Sequence, residues 1–368
     1  MKTSIGIVGL GLLGGSLAEA LRRCNPALKI AGISSPQTLL EAQEKRLIDK
    51  AYDYSQIDRV LNEVDFLILC TPIGQISQTL SRWITQTPRL EKAVLVTDVG
   101  STKTSLCALG QQIHEKQPLF QWVGSHPMAG SEKRGLTARS PHLFENAPWI
   151  FCPSNSEEEK FSSYWEMLVR SLGSLPLRLH PSVHDVAVAR ISHLPQLLAT
   201  TLAGYFNQVD QHKTESLNII GRGFRDMTRL SKSSLPVWEP IFQTNHENIL
   251  QELYGFQSYL TQVIKNFEAQ NYKPFFQQGN SLEIPPINSP LSVPGEPTEI
   301  RVSCPDLPGQ LALILSPLSA RGINIQDVEM LKNRENEPGT IRLILGSPQE
   351  AKDSINILNS LKFDARYP

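Results

Sequence analysis

Glycine spacing near the beginning of the chain is typical of a turn that holds the phosphates of a nucleotide. Gly9, Gly11 and Gly14 form GxGxxG between an apolar, β-branched stretch and a helical pattern. In that context the first glycine allows a tight turn, the second lets a pyrophosphate approach the backbone, and the third lets helix and strand pack closely. The phosphates then lie on free N–H groups at the helix start, which includes Leu12 and Leu13. We therefore predict a dinucleotide-binding turn.

The position that selects between NAD and NADP lies about 20 residues further on, at the end of the second strand. There the sequence is Gly32-Ile33-Ser34-Ser35-Pro36, without an Asp or Glu for the ribose 2′-hydroxyl of NAD and without an adjacent Arg. A serine such as Ser34 can donate a hydrogen bond to a 2′-phosphate, but serines also begin turns. The cofactor is therefore predicted as NAD or NADP. Thr71 and Pro72, which break the third strand, are predicted at the same cofactor-binding edge.

Four further polar motifs can carry chemistry, although none is diagnostic alone. The segment from Asp98 to Lys103 ends a strand pattern, at the sheet edge where doubly wound folds bind ligands. His126 lies between turn signals, where a histidine is more often an ordinary loop residue than a catalyst. Pro195 should kink the helical pattern that contains His193, and a histidine within a kinked helix often lines a cavity. Three arginines share a glycine-broken segment, which in isolation indicates a solvated basic face: Arg222, Arg225 and Arg229.

Short apolar strands alternate with helical patterns over the first half of the chain. This alternation predicts a Rossmann-like, doubly wound α/β domain whose mostly parallel sheet is covered on both faces. The strands are predicted at Ser4–Val8, Lys29–Ile33, Asp65–Cys70, Ala93–Asp98 and Trp149–Phe151.

Long helical patterns replace this alternation from about Ser182 to Phe276. Five prolines then fall within residues 279–297 and predict a stiff, non-helical linker. Strand and helix patterns beyond it predict a small α+β module with a ferredoxin-like fold. The predicted domains are therefore 1–178 for the cofactor, 179–278 for an all-helical part, 279–297 for the linker and 298–368 for the module.

Bulk composition excludes several classes of protein. A hydrophobic content of 40% with 19% charged residues fits a folded globular chain, and a net charge of −1 gives no reason to expect nucleic acid or an anionic membrane as partner. No apolar run approaches the roughly 18 residues of a membrane helix, and the first residues lack the pattern of a signal peptide. The five cysteines are scattered without CxxC, so we expect no metal site, no disulfide framework and a cytoplasmic location.

Taken in order, these motifs resemble the prephenate and arogenate dehydrogenase family, from about residue 4 to 265. The C-terminal module resembles an ACT domain, through Asp306-Leu307-Pro308-Gly309 before a helix and Gly322-Ile323-Asn324-Ile325 after it. The residues that match the dehydrogenase family are Gly9 to Leu17, Asp98 to Lys103, Ser125 to Glu132, Ser192 to Pro195, and Gly223 to Arg229.

The resemblance implies roles for individual residues. His126 matches the catalytic histidine, which accepts a hydrogen bond from the ring hydroxyl of the substrate and helps to remove its proton. Ser101 matches the serine that holds this histidine and touches the nicotinamide. Arg229 matches the arginine that clamps a substrate carboxylate, for which a planar guanidinium is suited.

Three further residues are predicted to bind substrate. Glu132 matches an acidic residue near the site entrance, and His193 is expected to line the pocket. Many relatives have a second histidine three residues after that one, whereas this chain has Gln196. This departure leaves open how the far end of the substrate is bound, because an amide can donate to a carboxylate but carries no charge.

The implied activity is a prephenate dehydrogenase that forms 4-hydroxyphenylpyruvate with NAD(P)+ in tyrosine biosynthesis. One alternative is an arogenate (cyclohexadienyl) dehydrogenase that forms tyrosine directly. A remote alternative is a non-catalytic sensor of dinucleotide and amino acid, which would not need His126, Ser101 and Arg229 together. The resemblance also implies a homodimer and, for the C-terminal module, L-tyrosine as effector, with Gly309 allowing close approach of the ligand and Asn324 hydrogen-bonding its polar groups.

Overall fold

The computed structural model describes residues 3–130, 133–209, 213–282, 298–305, 307–331 and 339–367. The chain divides into two compact units, Met1–Ile287 and Asn288–Pro368. The predicted proline-rich linker falls largely on residues 283–297, which lie outside the described ranges.

The first unit is built on one eight-stranded sheet with the strand order β3-β2-β1-β4-β5-β6-β7-β8. Strands β1 to β6 are parallel, β7 pairs antiparallel with β6, and β8 is parallel to β7. The order reverses between β1 and β4, which is where doubly wound sheets open a crevice for ligands. The strands are β1 Ser4–Val8, β2 Lys29–Ile33, β3 Lys50–Tyr52, β4 Phe66–Leu69, β5 Val94–Asp98, β6 Phe120–Pro127, β7 Pro148–Cys152 and β8 Leu175–Arg178.

Helices cover both faces of this sheet and enclose two apolar cores. One core includes Leu17 and Trp165, and the other includes Trp83 and Trp122. The predicted Rossmann-like domain is thereby confirmed. Its helices are α1 Leu12–Cys24, α2 Pro36–Glu44, α3 Ile57–Glu63, α4 Ile73–Thr85, α5 Thr104–Lys116 and α6 Ser156–Ser171, with short 3₁₀ turns at Tyr54–Gln56 and Leu136–Ala138.

His126 lies on strand β6, so the expectation of a loop histidine was wrong. The strand continues from the apolar start at Phe120 through polar residues because Gly124–Pro127 pair antiparallel with Trp149–Cys152 of β7. A strand whose second half is completed by a distant partner gives little local signal. The short edge strand β3 and the strand β8 were likewise not predicted.

A run of helices follows β8, as the sequence predicted. Between α7 and α8 the chain forms one π-helical turn, Ala189–His193, in which the Leu194 N–H bonds to the Ala189 carbonyl. Pro195 explains this turn, because it has no N–H to continue the α-helical ladder. The helices are α7 Pro181–Val188, α8 Leu194–Val209, α9 Lys213–Asn218, α10 Arg222–Thr228, α11 Leu235–Thr244, α12 His246–Glu268 and α13 Lys273–Asn280, with a 3₁₀ turn at Arg229–Lys232.

The second unit has the element order βαββαβ and an antiparallel sheet ordered β10-β11-β9-β12. This is the ferredoxin-like topology. Its apolar core lies between the sheet and the two helices and includes Ile300, Ile314 and Leu358. The elements are β9 Thr298–Cys304, α14 Gln310–Ser319, β10 Ile325–Leu331, β11 Gly339–Leu345, α15 Pro348–Ser360 and β12 Ala365–Arg366.

Among the described residues, no helix combines the length and the apolar character required to cross a membrane.

Candidate active site

The glycine turn between β1 and α1 has the shape of a phosphate cradle. Gly9 has φ +91°, a left-handed conformation that favours glycine. A Cβ on Gly14 would come within 2.0 Å of the Gly9 carbonyl oxygen, so only glycine fits there. A Cβ on Gly11, in contrast, would meet nothing within 4 Å. The open space at Gly11 and the uncapped start of α1 at Leu12 and Leu13 fit a bound pyrophosphate.

The predicted ribose edge lies where β2 and β4 end. Ser34 follows β2 and is buried, with 4% of its surface exposed, whereas the next residue, Ser35, is exposed. The Ser35 hydroxyl pairs with Thr38 Oγ1 at 2.9 Å at the start of α2. Thr71 and Pro72 follow β4 and precede α4, and the Thr71 backbone and side chain lie close to Gly9. Ser35 and Thr38 are thus polar groups at this edge that sequence reasoning did not select.

A fully buried ion pair organises the loop after β5. Lys103 Nζ donates to Asp98 Oδ2, and neither side chain is exposed to solvent. Asp98 also accepts from the N–H groups of Gly100 at 2.8 Å and Ser125 at 3.1 Å. Burial raises the pKa of Asp98, and Lys103 opposes that shift. Through the Ser125 contact, Asp98 therefore links the end of β5 to β6, the strand that carries His126.

His126 belongs to a chain of three hydrogen-bonded side chains. Its Nδ1 lies 2.9 Å from His184 Nε2, and His184 Nδ1 lies 2.8 Å from Asp185 Oδ1. His184 and Asp185 are buried on α7, while the His126 imidazole is half-buried. Burial, followed by the electrostatic effects of His184, Lys103 and His193, holds the pKa of His126 well below its usual value. His126 is therefore a neutral imidazole near pH 7.

Ser101 was predicted to hold this histidine, but the partner at His126 Nδ1 is His184. Ser101 is half-buried just after β5 and makes no side-chain hydrogen bond within the described part of the chain. Sequence reasoning missed His184 and Asp185. The signal that was available is a His-Asp pair at the start of a helical pattern, which is weak by itself.

The second predicted histidine lies in the π-helical turn. His193 is buried, packs edge-on against Trp238 with ring centroids 5.9 Å apart, and has Asn245 Nδ2 3.3 Å from its Nδ1. The same Asn245 amide donates to the Asp185 carbonyl at 2.8 Å, which fixes its orientation. Hence His193 Nδ1 accepts, and its Nε2 carries the proton. Burial lowers the pKa of His193 to about 4, so it is a neutral donor.

Gln196 holds the segment that contains Arg229. Its Nε2 donates to the Leu230 carbonyl at 2.9 Å and to Thr200 Oγ1 at 3.2 Å. Its Oε1 is buried and has no hydrogen-bond partner within the described residues. Arg229 begins the 3₁₀ turn after α10, and its side chain is exposed and makes no ion pair there. The guanidinium is thus available to a ligand, while the Gln196 donor is already used.

The remaining predictions concern Glu132 and the second unit. Glu132 lies outside the described residues. Gly309 has φ +86° at the start of α14 and Asn324 precedes β10, and both are exposed. In the described ranges, no three His, Cys, Asp or Glu side chains come together in a way that would hold a metal ion.

The chain is similar to known proteins over most of its length. The family described as "Prephenate dehydrogenase, nucleotide-binding domain" matches residues 17–174, and "Prephenate dehydrogenase, dimerization domain" matches residues 180–278. A prephenate dehydrogenase of Bacillus subtilis is 29% identical over 365 residues, which covers 96% of this chain and 94% of the relative. That relative therefore extends across both units.

Two solved structures share the fold of much of the chain. The Synechocystis arogenate dehydrogenase is 30% identical with a TM-score of 0.64, and the match covers 76% of this chain and 98% of that one. The Aquifex aeolicus prephenate dehydrogenase, in complex with hydroxyphenyl propionate and NAD+, is 25% identical with a TM-score of 0.66. That match covers 76% of this chain and 96% of the other.

Proposed function

This chain belongs to the prephenate dehydrogenase family, and on that premise we propose that it oxidatively decarboxylates prephenate to 4-hydroxyphenylpyruvate with NAD(P)+. The observation that carries the proposal is His126, a neutral imidazole on strand β6 of the sheet to which the glycine turn also belongs, held by a buried hydrogen-bonded chain. When bound, NAD(P)+ accepts the hydride from the ring carbon that bears the hydroxyl. The glycine turn, with Gly11 open and Gly14 packed on Gly9, would hold its pyrophosphate.

The proton of the ring hydroxyl goes to His126. A neutral imidazole can accept it at pH 7, because its low pKa keeps the acceptor nitrogen free. Loss of CO2 then drains electrons toward the developing ketone and makes the ring aromatic. The residues need only orient the substrate and stabilise the developing charge.

Arg229 binds a carboxylate of the substrate in this proposal. Its guanidinium is exposed and makes no ion pair in the described part of the chain, and Gln196 fixes the adjacent Leu230 carbonyl. His193 contributes a neutral N–H donor. Glu132 remains a predicted entrance residue and Ser101 a predicted contact of the nicotinamide.

Arogenate is a second candidate substrate, and Gln196 is the observation that favours it. The amide donor is spent on Leu230 and Thr200, which leaves a buried acceptor, Oε1. An acceptor suits the ammonium group of arogenate better than the keto group of prephenate, because a buried acceptor without a donor costs about 1–3 kcal/mol. Gln196→His, which restores the residue common in relatives, should then shift kcat/KM toward prephenate. An unchanged ratio of the two substrates would remove Gln196 from substrate selection.

The homodimer is proposed through the helical part of the first unit. Large apolar side chains are exposed there, for example Tyr205 (62%), Tyr254 (63%) and Phe267 (56%). Exposed apolar groups of this size on one set of helices are typical of a protein interface. Sedimentation of the purified chain at micromolar concentration should give twice the monomer mass, and a monomer would contradict this part.

The second unit is proposed as an ACT domain that binds L-tyrosine. Its ferredoxin-like topology and the left-handed Gly309, which has open space around it, support the assignment. Tyrosine should inhibit the full chain, and deletion of residues 298–368 should leave an active enzyme that is less sensitive at saturating prephenate. Asn324→Ala, which changes one exposed side chain and keeps the domain, should reproduce that insensitivity. Equal inhibition curves for all three proteins would show that tyrosine acts at the active site.

A further inference from the structure

His126 is the first member of a hydrogen-bonded chain that continues through His184 to Asp185. We propose that His184 and Asp185 are positioning residues that fix the tautomer of His126, so that its Nε2 carries the lone pair for the substrate proton. The inference rests on the proposed function only for the identity of that substrate. The hydrogen-bonded chain itself is a feature of the structure.

Asp185 is the fixed end of this chain because it is ionised and only accepts. Its carboxylate receives the N–H groups of Lys103 at 2.7 Å and Thr104 at 2.8 Å, at the beginning of helix α5. Burial alone would raise the pKa of Asp185, but the hydrogen bonds from His184, Thr104 and Lys103 outweigh it and lower the pKa. The positive end of the α5 dipole acts in the same direction. A carboxylate in this state has no proton to donate.

The ionised Asp185 determines which ring nitrogens of His184 and His126 carry protons. Since Asp185 only accepts, the proton of the bond to His184 lies on His184 Nδ1. In its imidazole form, with this proton on Nδ1, His184 has an acceptor at Nε2, which faces His126 Nδ1 at 2.9 Å. His126 must therefore carry its proton on Nδ1 and its lone pair on Nε2. Within the described residues no group bonds to His126 Nε2, so this atom is free for a substrate.

The same chain supports the charge that develops during the reaction. When His126 Nε2 takes up the substrate proton, the imidazolium donates through Nδ1 to His184, and His184 donates to the Asp185 carboxylate. The positive charge is thus stabilised by a buried negative charge two hydrogen bonds away. A tautomer error in a comparable buried Asp–His arrangement costs about 10⁴ in kcat while the geometry is kept.

Histidine NMR of the full-length protein tests the tautomer directly. Selective isotope labelling gives ring signals for eight histidines, and His126→Asn and His184→Gln assign the two of interest. We expect the His126 proton on Nδ1 in the wild type. A proton on His126 Nε2 would overturn the proposal, whether or not the enzyme is active.

Two replacements of His184 separate positioning from structure. His184→Phe removes the acceptor and should lower kcat by about 100-fold, with KM changed by less than about threefold. His184→Gln keeps an oxygen near the Nε2 position and should retain kcat within about tenfold. His180→Gln is the matched control, because His180 is exposed at the start of the same helix and its side chain bonds, among the described residues, to Ser182 alone. Melting temperatures report the folding of each variant.

The outcomes are distinguishable from a failure of the proposed function. Wild-type kcat in a folded His184→Phe variant would refute the positioning role. If no variant and no wild type turned over prephenate or arogenate, the proposed function would fail, and the NMR result would still decide the tautomer.

Discussion

Replacement of Lys103 by methionine should destabilise the first unit more than almost any other single change near the site. Lys103 and Asp98 are both fully buried, and Asp98 also accepts from two backbone N–H groups. Lys103→Met keeps most of the side-chain volume but leaves a buried carboxylate without its partner. Breaking a buried pair in this way costs about 3–5 kcal/mol.

The loss should depend on pH in a defined direction. Burial raises the pKa of Asp98, and Lys103 opposes this rise. A carboxyl whose pKa is higher in the folded chain binds a proton on folding, so stability falls as pH rises between the unfolded and folded values. Without Lys103 the folded pKa rises further. The variant should therefore lose most stability at pH 8 and least near pH 5.

Urea unfolding followed by tryptophan fluorescence at these two pH values measures both effects. The matched control is the double variant Asp98→Asn/Lys103→Met, which has no buried charge. It should lose only about 1–3 kcal/mol, the cost of one unsatisfied donor, with little dependence on pH. A loss below about 1 kcal/mol in Lys103→Met, equal at both pH values, would show that water reaches Asp98 and that the burial argument is wrong.

Three further predictions concern the carboxylate clamp, the buried histidine and the ribose edge. Arg229→Ala should raise KM for prephenate, with a loss of about 2–5 kcal/mol in binding where the bound carboxylate buries the charge pair. An unchanged KM would show that Arg222 or Arg225 is the clamp, or that the pocket lies elsewhere. The pKa of His193 near 4 means that the unfolded chain binds a proton first as pH falls from 6.5 toward 4. The stabilisation by neutral His193 is therefore fully present above pH 6.5, and at pH 5 this residue should lower the free energy of unfolding by about 2 kcal/mol. The His193→Gln variant should lose less free energy of unfolding between pH 7 and pH 5 than the wild type. An identical loss would refute the assignment. Ser34→Asp should shift the NAD+/NADP+ ratio of kcat/KM toward NAD+ by repelling a 2′-phosphate; if Ser35→Asp shifts the ratio and Ser34→Asp does not, the exposed serine is the residue at the ribose.

The sequence predicted those features that depend on residues close together in the chain. The glycine turn could be predicted in detail because Gly9, Gly11 and Gly14 act within one β-α connection, and the boundaries of β1 and β2 follow from continuous apolar runs. The topology of the second unit was also predictable, except for β12, a strand of two residues that exists only through pairing with β9.

The environment of the histidines could not be predicted, because it depends on tertiary packing. His184 is 58 residues from His126, and Asn245 is 52 residues from His193. Neither pairing has a local signature in the sequence. The burial that lowers the pKa values of His126 and His193 arises only when the helices pack. The polar end of β6 was misjudged for a related reason, since its partner β7 lies across an intervening segment.

The most direct measurement of the central claim is single-turnover kinetics of the purified chain with prephenate and NAD(P)+. We expect reduced nicotinamide and 4-hydroxyphenylpyruvate in equal amounts. A His126→Asn variant should still bind prephenate but react with a single-turnover rate constant lowered by about 100-fold or more. His180→Gln should match the wild type. Near-normal turnover by His126→Asn, in a protein that melts at the wild-type temperature, would contradict the assignment of His126 as the base.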